Sequence, residues 1–418
     1  MNYELFTQDG FHTYLKSRGG KSDVFSNDYT GKSVRECGTD KKKMVSVSSN
    51  NNIPINKLIK CLQDTDHEIH IADIQSLSRL KRPKIEADLK AVLDECKQTL
   101  ADDVTFNLAH AKYTASIELL GTDTSFSKEH EHVCALIEDS KNLDVVYVLN
   151  ISRNNLHELP RMIKQVMDWF SVQRKLTRRV SDGVYTVVLS KEACGTLYHE
   201  VVGHTFELSQ SYTIHSPTKY PDGFQLFSDK ITVYDKPFAL TMPHEYDDEG
   251  TKCGQTKLIE NGCIVSPMTD KRSIISFPKY SLTGNARRES FLNYPATRFY
   301  RISAEKGTSS FQQAVGDVEH GIYIDHVSAA RCYHLEDRVT LRASRAYMIR
   351  NGVVTDEPVS CVVDDKISSF FFPVHVCDEI GISPGFCNST AGYMYVEHEA
   401  PVMSFDNIKV KDVFVYET

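Results

Sequence analysis

A chain of 418 residues with 41% hydrophobic content is long enough for about two domains, each able to bury a core. Its 48 basic residues against 56 acidic ones leave a net charge of −8, which argues against a nucleic-acid surface. Its apolar runs, such as 143–151, fall far short of the ~20 residues that span a bilayer. Residues 1–6 carry no charged segment leading into an apolar core, so neither a membrane span nor a secretory signal is expected. The 11 irregularly spaced cysteines indicate reduced thiols and predict a cytoplasmic location.

In chain order, the first 60 residues are polar and irregular, and 32–52 is expected to be mobile, with a loop tip at 48–52. The run Lys41-Lys42-Lys43 reads as a solvated loop. From 83 to 102, Ile85, Leu89, Val92, Leu93 and Cys96 recur at helical spacing and predict an amphipathic helix. Segments 105–120, 132–138 and 145–151 read as strands, and 157–170 returns to helical period. Glu129-His130-Glu131-His132 alternates like a ligand set but is expected in an exposed turn. These elements predict an α+β N-terminal domain over 1–180. A strand at 184–189 then feeds a helix over 193–207, and short β-prone stretches follow to the end of the chain. Asn261-Gly262 and Asn351-Gly352 signal hairpins. The expected C-terminal domain, 181–418, is mainly antiparallel β and carries that one helix. No repeat of 20–50 residues points to a solenoid.

The helix contains His199-Glu200-Val201-Val202-Gly203-His204. Imidazoles are common zinc ligands, and a neighbouring carboxylate can take the proton of a water that the ion acidifies. The spacing is unusual. In H-E-x-x-H the histidines lie about 40° apart around a helix, whereas at i and i+5 they lie about 140° apart and could not share an ion. A π-bulge would bring them together, and Gly203, a poor helix former, sits where that distortion costs least. The apolar surroundings predict a buried helix, whose polar groups require partners. With 16 histidines in the chain, a chance pairing is the competing reading.

Downstream, Asp247-Asp248-Glu249-Gly250-Thr251, Leu258-Ile259-Glu260-Asn261-Gly262, Gly284-Asn285-Ala286-Arg287-Arg288-Glu289-Ser290, Glu319-His320-Gly321-Ile322-Tyr323 and Gly385-Phe386-Cys387 follow in order. With the histidine element, this series resembles the TldD/PmbA family of metallopeptidases, on its TldD branch; the PmbA (TldE) branch lacks the histidine pair. The resemblance implies one zinc ion per chain held by His199, His204 and Cys387, with Glu200 as general base. His375 and Cys377, which share a strand face, are a rival ligand pair, and a packed strand is their plainer reading. The resemblance further implies an extended peptide substrate, either unfolded or leader-bearing. It implies a dimer, either with itself or with a PmbA/TldE-like subunit. A non-catalytic, zinc-stabilised peptide-binding subunit and a zinc hydrolase of modified peptides are the alternatives.

This chain departs from the family around Cys387, where Asn388-Ser389-Thr390-Ala391-Gly392-Tyr393 replaces a lysine- and glutamine-containing stretch. It also departs at Ala329-Ala330-Arg331-Cys332-Tyr333-His334, in place of a glycine-rich turn, and at Thr205-Phe206-Glu207-Leu208. Arg287, Arg288 and Asn388 are candidate substrate contacts. Asp247, Asp248 and Glu249 are expected to form a turn, and Glu397-His398-Glu399 a solvated surface.

Overall fold

The computed structural model describes residues 2–18, 21–37, 44–48, 54–64, 68–71, 87–120, 124–139, 146–151, 153–174, 180–241, 243–389 and 391–412. Seven strands from the first part of the chain form one sheet: β1 (Asn2–Arg18), β2 (Lys21–Cys37), β3 (Met44–Ser48), β4 (Glu68–Ile71), β5 (Val104–Leu120), β6 (Ser125–Asp139) and β7 (Val146–Ile151). Their order is β4-β3-β2-β1-β5-β6-β7, antiparallel except between β3 and β4. The strand β5 shows how alternation builds this layer. Its first half turns Phe106 and Leu108 onto α2 (Ala87–Thr99) and α3 (Leu159–Gln173), while its second half turns Ala115 and Ile117 onto Phe6 and Phe291. A shorter helix, α1 (Ile55–Gln63), seals Leu5, Val34 and Val45 with Leu58 and Leu62.

Three expectations are corrected in this half. The polar N-terminus is mostly strand, buried on both faces: Leu5, Val34 and Val45 pack against α1 on one, and Phe6 packs against Ala115, Ile117 and Phe291 on the other. Within 32–52, β2 reaches Cys37 and β3 occupies Met44–Ser48; residues 38–43, with the lysine run, and 49–53 lie outside the described residues. Glu129–His132 is no turn but the middle of β6, with His130 buried and Glu131 bonded to His110 (2.8 Å). The helix expected over 83–102 appears as Ala87–Thr99, with Ile85 outside the described residues.

The second sheet runs from β8 (Gly183–Leu189) to β19 (Gly392–Lys411). Between them lie β9 (Val233–Lys236), β10 (Thr256–Glu260), β11 (Cys263–Ile264), β14 (Arg301–Ala304), β15 (His320–Tyr333), β16 (Arg338–Arg350), β17 (Val353–Asp365) and β18 (His375–Ser389). A separate two-stranded ribbon pairs β12 (Ala286–Arg287) with β13 (Ala296–Thr297). The pairings β8–β15, β15–β16, β16–β17, β17–β19 and β19–β8 close a ring. Most pairs are antiparallel; β8–β15 and β14–β19 are parallel. Both Asn-Gly turns form as expected, with Asn261 and Gly262 at φ 46° and 79°, and Asn351 and Gly352 at 49° and 76°. The largest apolar core gathers the inner faces of these strands around one helical segment, α4 (Lys191–Tyr198), and the turns that follow it. Trp169 of α3 donates its Nε1–H to the carbonyl of Ser344 on β16 (2.8 Å), tying the two halves together. No described helix is long and apolar enough to cross a membrane.

Candidate metal centre

Ser190 starts the central helix, its hydroxyl accepting from the Ala193 N–H (3.1 Å). After α4 the chain runs through a π segment, His199–Gly203, into a short 3-10 turn, His204–Phe206. The His204 N–H donates to the His199 carbonyl, five residues back, and this wider turn absorbs the extra residue. The imidazole rings of His199 and His204 therefore lie 5.0 Å apart, where a regular helix would turn them away from each other. Gly203 ends the π segment, where the distortion was expected. Its φ and ψ, −50° and −63°, are ordinary helical values. What it provides is room, since a Cβ there would lie 2.8 Å from Phe299. That ring stands edge-on to both imidazoles, at 4.8 Å from His199 and 5.7 Å from His204.

The third donor arrives from β18, not from a loop. The Sγ of Cys387 lies 3.1 Å from Nε2 of His204. Donor atoms of His199, His204 and Cys387 all fall within 4.8 Å of one another, and all three residues are buried. The rival pair is elsewhere: His375 bonds Ser309 (3.1 Å), and Cys377 packs with Val188 and Ala314. The glycine at 385 is required for space, since a Cβ would come within 2.5 Å of the His398 ring. Gly392, at φ 98°, makes the β18–β19 turn.

Both histidines are held from behind. Nδ1 of His199 meets Nε2 of His398 at 2.7 Å, and Nδ1 of His204 meets Glu207 at 3.1 Å. Each Nε2 is thereby turned toward the cavity, an arrangement that orients imidazole ligands. Glu397-His398-Glu399 is thus no solvated surface. It lies buried in β19, with Glu397 accepting from the N–H groups of Ala239 (2.6 Å) and Leu240 (2.9 Å) and Glu399 bonded to Ser303. The apolar residues on either side, Tyr395-Val396 and Ala400 to Met403, were the available signal that this triplet is interior. The fully buried Arg298 lies 3.3 Å from Glu207 and faces Cys387, without an aligned hydrogen bond from its guanidinium among the described residues. Neither Glu207 nor Arg298 was legible as a site residue.

Charge is arranged accordingly. Burial, followed by the neighbouring His398 and His204, holds His199 well below the usual imidazole range. Burial also opposes charge on His204, but Glu207 and Cys387 outweigh it and raise that imidazole well above its ordinary value. Burial raises the carboxyl of Glu200, which lines the same cavity. The cavity, about 520 Å³, is also lined by Ser383 to Ser389, Tyr393, Cys332 and His334. Two buried imidazoles and a cysteine sulfur, two of them with fixed outer partners, suit a zinc-type ion, and the side of the set open to the cavity suits a catalytic arrangement.

Asn388 is exposed at the cavity edge. The two arginines stand beside this cavity and not in it. Arg287 donates to the carbonyls of Phe299 and Tyr395, and Arg288 donates to Glu4 (2.8 Å) and to the Asp248 carbonyl (3.0 Å). They line a neighbouring cavity of about 530 Å³ that shares Phe386 and Tyr393 with this one, and Arg288 also ties the Asp248 turn to Glu4 of the first sheet. Asp247-Asp248-Glu249 does form a turn, with Gly250 at φ 72°, and the turn is buried. The Asp247 carboxylate caps it by accepting from the N–H groups of Glu249 (2.9 Å) and Thr251 (2.8 Å).

The fold and this buried histidine–histidine–cysteine set define an α+β protein with a candidate metal centre on a distorted helix. The family described as PmbA/TldA metallopeptidase C-terminal domain matches residues 182–411, and the chain belongs to that metallopeptidase family. It is 29% identical over 208 residues to a metalloprotease of Methanocaldococcus jannaschii, covering 49% of this chain and 46% of that protein. It is 24% identical over 234 residues to a zinc metalloprotease TldD homolog of Saccharolobus solfataricus, covering 54% of this chain and 52% of the other. The chain thus spans about half the length of the curated relatives it matches. In fold it is similar to TldE of Thermococcus kodakarensis, with a TM-score of 0.70 at 15% identity, over 98% of this chain and 96% of that one.

Proposed function

We propose that this chain is a zinc-dependent peptidase that cleaves extended peptides, with one ion held by His199, His204 and Cys387. The observation that carries the reading is the convergence of those three donors within 4.8 Å, in a cavity that also contains Glu200. An ion there supplies Lewis acidity and a more acidic water. Glu200, its carboxyl raised by burial, is the base that takes the proton and later returns it to the leaving amine. His398 and Glu207 hold the two imidazoles in their tautomers and orientations. The substrate backbone is read by strand addition. Among the described residues the segment 383–389 of β18 has a ladder partner only on its β19 side, and it lines the cavity. Asn388 and Tyr393 stand where they would meet the peptide.

A second copy or a TldE-like subunit is the proposed partner, and the unpaired thiols of the described cysteines fit a reducing compartment such as the cytoplasm. The test is metal content beside peptide cleavage. The parent should hold about one tightly bound zinc and Cys387→Ala should lose it, while Glu200→Gln should keep zinc and lose cleavage by about 100-fold or more. Full cleavage in Glu200→Gln would overturn the assignment of the base. A parent that holds zinc yet cleaves no peptide would favour a peptide-presenting subunit.

A further inference from the structure

The departure at Ala329–His334 brings a second set of donors into the same cavity. Cys332, near the end of β15, and His334, in the turn after it, stand beside Glu200, and one donor atom from each falls within 4.8 Å of the others. This set is carboxylate, thiol and imidazole, a ligand combination that zinc accepts. It adjoins the first set without sharing a residue. The His334 and His204 rings are 6.2 Å apart, and the nearest Glu200 oxygen is 3.9 Å from Nε2 of His199.

We propose that Glu200, Cys332 and His334 form a second, weaker zinc site, and that filling it withdraws Glu200 from proton transfer, so that excess zinc inhibits the enzyme. Burial lowers His334 to about 4, so its imidazole is neutral and able to ligate at physiological pH. Its three residues are only half-buried where those of the first set are buried, and among the described residues no side-chain hydrogen bond fixes the His334 ring as His398 and Glu207 fix the first two imidazoles, which makes this the weaker site. The binding itself is independent of the peptidase reading; the inhibition rests on Glu200 being the base.

The experiment takes the full chain free of metal, equilibrates it against rising free zinc, and counts bound ions by atomic absorption. The parent should reach about two ions per chain, one tight and one weak; His334→Ala should weaken the second by at least about tenfold, and Cys332→Ser with His334→Ala should abolish it. Cys387→Ala should lose the tight ion and keep the weak one. A parent that saturates at one ion, or a double variant that still binds two, overturns the site. Peptide cleavage by the parent should fall by about tenfold or more between one and two equivalents, a ratio that the double variant should not show. Two ions bound with cleavage undiminished or increased overturns the inhibitory role. Two ions bound by a parent that never cleaves would sink the peptidase reading and leave the second site standing.

Discussion

His398 contributes to the candidate centre without belonging to its set of donors. Its Nε2 at 2.7 Å is the partner of His199, and two glycines make room for it. A Cβ at Gly195 would lie 2.8 Å from the Cβ of His398, and one at Gly385 would lie 2.5 Å from its ring. His398→Ala should therefore weaken zinc about 10- to 100-fold while the three donors remain, as measured by competition with a chelator. Gly385→Ala should give a loss of the same order although it changes no ligand, because the ring must move. An unchanged affinity in either variant would show that His199 needs no such partner. The contiguous histidine pair and Glu200 were legible because one short segment carries them. The partners of that segment were not: 199 positions separate His199 from His398, and only folding makes them neighbours.

The element that matters most is the π segment, whose need could be read from the i, i+5 spacing and the 3.6-residue helical turn. Its support could not, because Phe299 comes from beyond the helix. Gly203→Ala forces a methyl to 2.8 Å from that ring and should cost about 1–3 kcal/mol of stability, read by urea denaturation. The same substitution should lower zinc affinity through the displaced His204. Strands with strong local signals, such as the two Asn-Gly hairpins, formed where expected, since φ > 0 at both turn positions is a local demand. Strands β1 and β2 and the first half of β6 hid behind polar residues. The buried face of a long strand in a two-layer packing can be polar where ion pairs satisfy it, so alternation of hydrophobicity fades.

Across the whole molecule, buried charges join the first sheet to the segment around 249–288. Arg35 bonds both oxygens of Glu4 (2.9 and 2.7 Å) and reaches Glu249 (2.6 Å), while Arg288 also reaches Glu4 (2.8 Å). Glu4→Ala leaves two buried guanidinium groups short of a partner and should cost about 3–5 kcal/mol, measured by chemical unfolding. The burial of Glu4 acts against its charge, but Arg35 and Arg288 prevail and its carboxyl is held below the usual 4.5. A group depressed on folding contributes stability above its unfolded pKa, and that contribution is lost as pH falls through the folded value. The stability gap between the parent and Glu4→Gln should therefore be constant near neutrality and shrink as pH falls below about 4. A gap that widens in acid would reverse the sign and reject the pairing.

The sequence by itself determined the chemistry at 199–204, the bulge that this chemistry needs, the positive-φ turns and the family to which the chain belongs. Each is a property of a short segment or of an ordered series of segments. Tertiary structure alone decided that His398 and Glu207 stand behind the histidines, and that Arg288 joins the Asp248 turn to Glu4 of the first sheet. It also brought Cys332 and His334 beside Glu200. Those choices depend on strand pairing and on which side chains share a buried volume. Burial makes an unpartnered polar group costly, so the fold, and not local sequence, assigns each one its partner.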